Sequence, residues 1–231
     1  MSGGLDTTLV GLAARLAGLR LRAVTVYYAG GLPRDLAYAL YAARVLGFEH
    51  HLLLVDDGYI SSRLGLVLGC TGRREVIEAR NDVVFLAALE WSAENNCKCI
   101  YTGDGGDELF AGYTFLRVLD SRELVEAILR LGARGRYPAL ELGDCIGVRV
   151  EAPLLNDEVL EAVLEAPVEC IRGWLLEGKG VIREILERHG LYLIASRLKT
   201  PAEEGAGTSS ITPEHIERLT GVKLPLYAAE S

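Results

Sequence analysis

Three carboxylates, Asp104, Asp107 and Glu108, fall within five positions of one another in the stretch Y-T-G-D-G-G-D-E-L-F-A-G-Y, residues 101–113. Like charges at that spacing repel unless they bind a cation or share a proton. The glycines around them let the backbone turn tightly and approach a ligand closely. Phe110 and Tyr113 tie the loop to a core. The same residues also suit a solvated acidic turn that caps a helix starting near Glu108.

A second loop opens the chain: Ser2, Gly3, Gly4, Leu5, Asp6, Thr7 and Thr8. Its two glycines lead into an apolar periodic run. A helix starting there presents free N–H groups, which bind phosphate. The hydroxyls of Ser2, Thr7 and Thr8 are further donors. Asp6 would repel phosphate unless a cation lay between them, so it implies Mg²⁺ carried by a nucleotide. A simple capped helix start accounts for the same residue types.

Lys179 and Lys199 are two further charged residues to place. Lys199 follows Arg197 and precedes the glycine-rich loop Thr200–Ser210. Both lysines also suit solvated surface positions. The polar entry to a long helix, Glu78, Ala79, Arg80, Asn81 and Asp82, fits a helix cap by Asn81 or Asp82. His50 and His51 lie in a helix-to-strand turn and receive no role.

These residues need a scaffold, and the order of elements supplies one. Leu9–Leu19 has helical spacing, and Arg22–Tyr28 reads as a buried strand. Asp35–Leu46 reads as a helix stopped by Gly47. Glu49–Val55 is a second strand, Ala79–Asn95 a long helix, and Cys97–Thr102 a third strand that runs into the acidic loop. Strands alternating with helices predict an α/β fold with a parallel sheet covered by helices on both faces. Ligands in such sheets bind at the carboxyl ends of the strands, where both loops fall. From about residue 121 the chain reads as mostly helical, over Glu123–Leu131, Asp157–Leu164, Gly180–Arg188 and Pro213–Leu219. The expected division is an α/β core over 1–120 and a helical part over 121–231 that completes one active site.

The net charge is −8 over 231 residues. A protein gripping a phosphate backbone usually carries a basic face, so no nucleic-acid partner is expected. The five cysteines are odd in number and contain no C-x-x-C pair. This reads against a disulfide framework and a zinc ribbon, and for small buried hydrophobes. Apolar stretches are broken before membrane-spanning length, and no signal peptide is read. A cytoplasmic location without membrane contact is expected.

Together the two loops resemble the N-type ATP pyrophosphatases, and among them the synthetase domain of the asparagine synthetase family. S-G-G-L-D-T-T resembles its pyrophosphate loop, S-G-G-x-D-S/T-S/T. T-G-D-G-G-D-E-L-F-A-G-Y resembles its more specific S-G-E-G-x-D-E-x-F-G-G-Y. Gly147–Leu155 resembles G-V-E-x-R-x-P-F-L, Lys179–Arg183 resembles K-x-x-L-R, and Arg197–Lys199 resembles R-x-K. The likeness runs from Ser2 to about Gly207.

The resemblance implies an adenine nucleotide alpha-hydrolase-like fold and two substrates besides ATP, a small carboxylate and an amine. Ser2, Gly3, Gly4, Asp6, Thr7 and Thr8 would hold the pyrophosphate, with Gly103 in the nucleotide site and Val26 near the adenine. Asp6 and Asp107 would ligate Mg²⁺. Asp104 would present or deprotonate the amine, Lys199 would stabilise the leaving pyrophosphate, and Lys179 would touch phosphate. Aspartate is the default carboxylate.

Departures from the family pattern qualify these roles. The family has a buried strand before its first loop, which here would lie upstream of Met1. A late start assignment is the expected cause. The glutaminase domain has no counterpart, so ammonia would be free, come from a separate glutaminase chain, or be replaced by a substrate amine. Asp104 is one methylene shorter than the family Glu. Arg149 and Glu151 exchange the family's Glu and Arg, which an internal ion pair would survive and a substrate contact would not. The alternatives are a tRNA-modifying ATP pyrophosphatase and a non-catalytic nucleotide-binding partner of a glutaminase.

Overall fold

The computed structural model describes residues 1–173 and 178–227, with the side chains of 133 and 134 excepted. The amino-terminal part alternates helix and strand as α1 (Leu5–Leu16), β1 (Arg22–Tyr28), α2 (Leu36–Leu46), β2 (Glu49–Val55), α3 (Asp57–Thr71), α4 (Val76–Glu94), β3 (Ile100–Tyr101) and the short α5 (Gly106–Leu109). Then follow α6 (Ser121–Arg134), α7 (Pro138–Ile146), β4 (Val150–Glu151), α8 (Asp157–Glu165), α9 (Val168–Arg172), α10 (Gly180–Arg188), α11 (Tyr192–Ala195), α12 (Ala202–Gly205) and α13 (Pro213–Thr220).

Strand β1 buries Ala23 to Val26 without alternation, as expected of a parallel strand covered on both faces. It pairs with β2 from Arg22↔Glu49 to Tyr28↔Val55. Helix α2 stops where glycine permits, at Gly47 with φ 72°. The connection from β1 through α2 back to β2 places the carboxyl ends of both strands together.

The single sheet expected from the sequence is absent among the described residues, replaced by two separate parallel ladders, β1–β2 and β3–β4. The predicted strand over Cys97–Thr102 contracts to Ile100–Tyr101, matched to Val150–Glu151. Residues 97–99 have no ladder partner, so propensity alone does not hold them extended. Residues 20–27 and 97–104 line one cavity, and this cavity separates the two ladders.

Three further expectations need correction. Helix α4 starts at Val76 with Glu75 as its cap, so Asn81 and Asp82 lie in its second turn and cap nothing. Asp82 is fully buried against Arg73 at 3.2 Å, and burial pushes its pKa up to about 6. The cysteine reading fails for one pair. Cys70 and Cys145 form a disulfide between the last turns of α3 and α7, with Cα atoms 5.7 Å apart. An odd count leaves one thiol over but does not forbid a pair that helix packing brings together. Cys97, Cys99 and Cys170 are free and half-buried. The loop Thr200–Ser210 contains a turn of helix, α12, and a 3-10 turn at Thr208–Ser210.

Two apolar clusters fill the interior. One joins α1 and α2 to the helices of the carboxyl-terminal half through Leu12, Leu46, Leu124, Ile128, Ile182 and Leu186. The other packs β1 and β2 on α3, α4, α7 and α13. Leu5 of the first loop and Leu109 and Phe110 of the second belong to the first of these clusters. Among the described residues, no helix is long and apolar enough to cross a membrane.

Candidate active site

The first loop turns at Gly3, whose φ is +70° and where a Cβ would stand 2.4 Å from the Ala39 nitrogen. Only glycine fits there. The Met1 nitrogen donates to the Val24 carbonyl at 2.6 Å, which lays the loop along β1. Ser2 and Thr7 share a hydrogen bond of 3.1 Å, and Gly4 N–H donates to the Ser2 Oγ at 3.2 Å. The N–H groups of Leu5, Asp6 and Thr7 open the twelve-residue α1 and have no acceptor within it. That makes a positive, anion-receptive helix start. Ser2, Gly4, Asp6 and Thr7 line the cavity. Gly3 and Thr8 do not. Gly3 gives its carbonyl to Arg197 at 2.8 Å, and Thr8 is fully buried, so its hydroxyl is no cavity donor.

The second loop packs directly onto the first, and its glycines permit this. A Cβ on Gly106 would meet Asp6 Oδ1 at 2.2 Å, and one on Gly103 would meet the Thr7 nitrogen at 2.8 Å. A Cβ on Gly112 would meet Asp107 Oδ1 at 2.0 Å and Lys179 Cε at 2.6 Å. Gly103 and Gly106 leave room for the Thr7 backbone and the Asp6 side chain of the first loop, and Gly112 for Asp107 and Lys179.

Lys179 brings the carboxyl-terminal half into the site. It takes the left-handed conformation, φ 59°, which is uncommon without glycine, and donates its N–H to the Phe110 carbonyl at 2.8 Å. Its buried ammonium lies 2.5 Å from Asp6 and 2.7 Å from Asp107. Lys199 adds a contact of 2.9 Å to Asp107 and lies 4.7 Å from the centre of the Tyr113 ring. Burial pushes the Asp6 pKa up, with Lys179 opposing. Burial acts the same way on Asp107, but Lys179 and Lys199 prevail and hold it below the ordinary carboxylate range. For Lys179, burial favours the neutral form, and the two aspartates outweigh it and raise its pKa. Asp6 Oδ1 is shut from solvent without a hydrogen-bond partner.

Asp104 stands apart from the lysines. Thr102 donates to it at 2.8 Å. Burial, and then the charges of Glu108 and Asp6, raise its pKa. Glu108 accepts from the Tyr113 hydroxyl at 2.7 Å. The cavity, about 880 Å³, is lined by Asp104, Glu108, both lysines, Gly103 and Val26. Its volume is within the range of small-molecule sites.

Arg149 and Glu151 pair internally at 2.6 Å and do not line the cavity. His50 bonds Thr25 at 2.8 Å and remains without a role. Sequence reasoning overlooked Tyr137 and Arg117, both on the cavity wall. Neither lies in a glycine-rich or acidic run that would have marked it. It also missed that Arg197 is an anchor: it is buried, 2.5 Å from Asp35 and 4.1 Å from the centre of the Tyr38 ring.

Helices alternating with two short parallel ladders are compatible with an α/β fold. Comparison with known proteins gives the family. The asparagine synthase family model matches residues 1–143, more than half of the chain, and the chain belongs to that family. A Methanocaldococcus jannaschii protein, provisionally named glutamine-hydrolyzing asparagine synthetase 1, is 26% identical over 176 residues. That alignment covers 73% of this chain and 32% of the relative, so the chain spans about a third of the length of the protein it matches.

Proposed function

We propose that this chain is an ATP-dependent amide-forming ligase. It adenylates a carboxylate, releasing pyrophosphate, and passes the acyl group to ammonia or another amine. The observation that carries this reading is the meeting of Asp6 and Asp107 with Lys179 and Lys199 beside the start of α1. Four charges from four chain segments converge where a polyphosphate would bind. Residues 1–120 supply the carboxylates and 121–231 supply the lysines, in keeping with one synthetase domain of adenine nucleotide alpha-hydrolase-like fold.

The donor set suits Mg²⁺. Two carboxylates with phosphate oxygens are its usual company, and Asp6 Oδ1 is a buried acceptor without a partner. Asp6 and Asp107 would hold the ion, which would supply charge neutralisation for the leaving pyrophosphate. In the free protein the Lys179 ammonium neutralises the same carboxylates. With nucleotide present, Lys179 and Lys199 turn their charge to the phosphates as negative charge builds on the pyrophosphate. Ser2, Gly4 and Thr7 hold its oxygens, and Val26 and Gly103 border the nucleotide. Asp104, kept basic by burial, takes the proton from the attacking amine.

Aspartate is the proposed carboxylate, giving asparagine, and the relative's glutamine-hydrolyzing name supports a glutaminase as one source of ammonia. The test is release of AMP and pyrophosphate from Mg-ATP across a panel of carboxylic amino acids, with and without ammonium. Release that depends on one acid and is matched by amide supports the ligase. Folded protein that binds ATP and releases neither product would refute it.

A further inference from the structure

Asp35 sits at the N-cap position of α2, where an aspartate ordinarily accepts from the first free N–H groups of its helix. Its side chain makes no such bond. The carboxylate is turned instead onto Arg197, 2.5 Å away, and both side chains are largely shielded from water. The stability of α2 does not account for this choice, since the cap bond is given up.

Asp35 also holds a second point. Its peptide N–H donates to the Gly205 carbonyl at 3.1 Å. A Cβ on Gly205 would stand 2.4 Å from Asp35 Oδ2, so the loop closes on Asp35 because residue 205 is glycine. Asp35 thus holds the segment 197–205 at both ends, and Lys199 lies between them. The Arg197 guanidinium completes the frame. Its Nη1 donates to the Gly3 carbonyl at 2.8 Å. The Nη2 that meets Asp35 also donates to Thr200 Oγ1 at 3.0 Å, which ties residues 197 and 200 together across Lys199. Arg183 Nη1 donates to the Arg197 carbonyl at 3.0 Å. The Lys199 side chain itself is 41% exposed and touches Asp107 at 2.9 Å. A lysine is a point charge on a flexible stem, so the placing of its charge depends on how firmly its backbone is held.

We infer that Asp35 is a positioning residue for Lys199: through Arg197 it fixes the backbone that presents the Lys199 ammonium to pyrophosphate at the first loop. This role rests on the ligase reading, which puts Lys199 on the leaving group, and deepens it. The sign of the effect separates it from direct contact. A carboxylate facing pyrophosphate would repel it, and its removal would tighten binding. A carboxylate acting through Arg197 and Lys199 holds a cation in place, and its removal loosens binding.

The test is a double-mutant cycle read by calorimetric titration of Mg-pyrophosphate, which needs no turnover. Asp35→Asn removes the charge and keeps the size. It should weaken pyrophosphate binding about tenfold, the loss of one well-placed charge contact. Lys199→Met should weaken binding at least as much, and the double variant should bind within about twofold of Lys199→Met alone. Unchanged or tighter binding in Asp35→Asn would overturn the assignment. So would losses that multiply in the double variant, which would mark Asp35 as supporting the fold independently of Lys199. Should Asp35→Asn not fold, Asp35→Ser, whose hydroxyl suits the N-cap of α2, enters the same cycle under the same criteria. Wild-type protein that binds no Mg-pyrophosphate would also overturn it. Wild-type protein that binds pyrophosphate yet exchanges none into ATP with any carboxylic amino acid would instead remove the ligase reading, and the cycle would still decide how Lys199 is positioned.

Discussion

Lys179 Nζ stands 2.5 Å from Asp6 Oδ2, although 173 residues separate them in the chain. The contact ties the first loop to the start of α10 and sets the charge balance of the site. In Lys179→Met the half-buried Asp6 would lose its cation, and Asp107 would keep only Lys199. Removing one partner of a buried pair costs about 3 kcal/mol or more. We expect a Tm lowered by several degrees in thermal denaturation, and Mg²⁺ should raise the Tm of the variant more than that of wild type. An unchanged Tm would contradict the account of this contact.

Asp104 must be deprotonated to accept a proton, and burial raises its pKa. Activity in the amine-dependent step should therefore fall as pH drops through a value above the ordinary carboxylate range, and recover above it. Asp104→Asn should remove that acidic limb and slow amide formation by about 10²-fold or more. Pyrophosphate exchange should change far less. The check is a pH profile of both half-reactions in the two proteins. An acidic limb that persists in the variant would assign the titration to another group.

The Cys70–Cys145 disulfide closes a long segment, 75 residues of sequence separation. Its reduction should destabilise the protein by about 2–4 kcal/mol. Thiol titration in denaturant should count three thiols without reductant and all five with it. Five thiols in the untreated protein would show that the pair does not form.

The sequence discloses what local chemistry controls. Gly47 ends α2 because its left-handed φ is a property of glycine, and the apolar spacing of Gly180–Arg188 marks α10 to the residue. Both loops are legible because glycine and carboxylate spacing is itself the signal. Helices α3 and α7 are not marked: α3 carries Gly58, Gly65 and Gly69, which blur any periodicity. The length of β3 depends on a neighbour that periodicity does not report, so six extended-looking residues give only two paired ones. The position of Lys179 between two carboxylates and the pairing of Asp35 with Arg197 are tertiary facts. Neither follows from the residues adjacent in sequence.

In the proposed reaction a carboxylate oxygen attacks the α-phosphorus of ATP. The most direct measurement uses a carboxylate substrate labelled with ¹⁸O in both oxygens and follows the label by mass spectrometry through one amide-forming turnover. One labelled oxygen is expected in AMP and the other in the amide carbonyl. Label in inorganic phosphate alongside ADP, or AMP free of label, would contradict it.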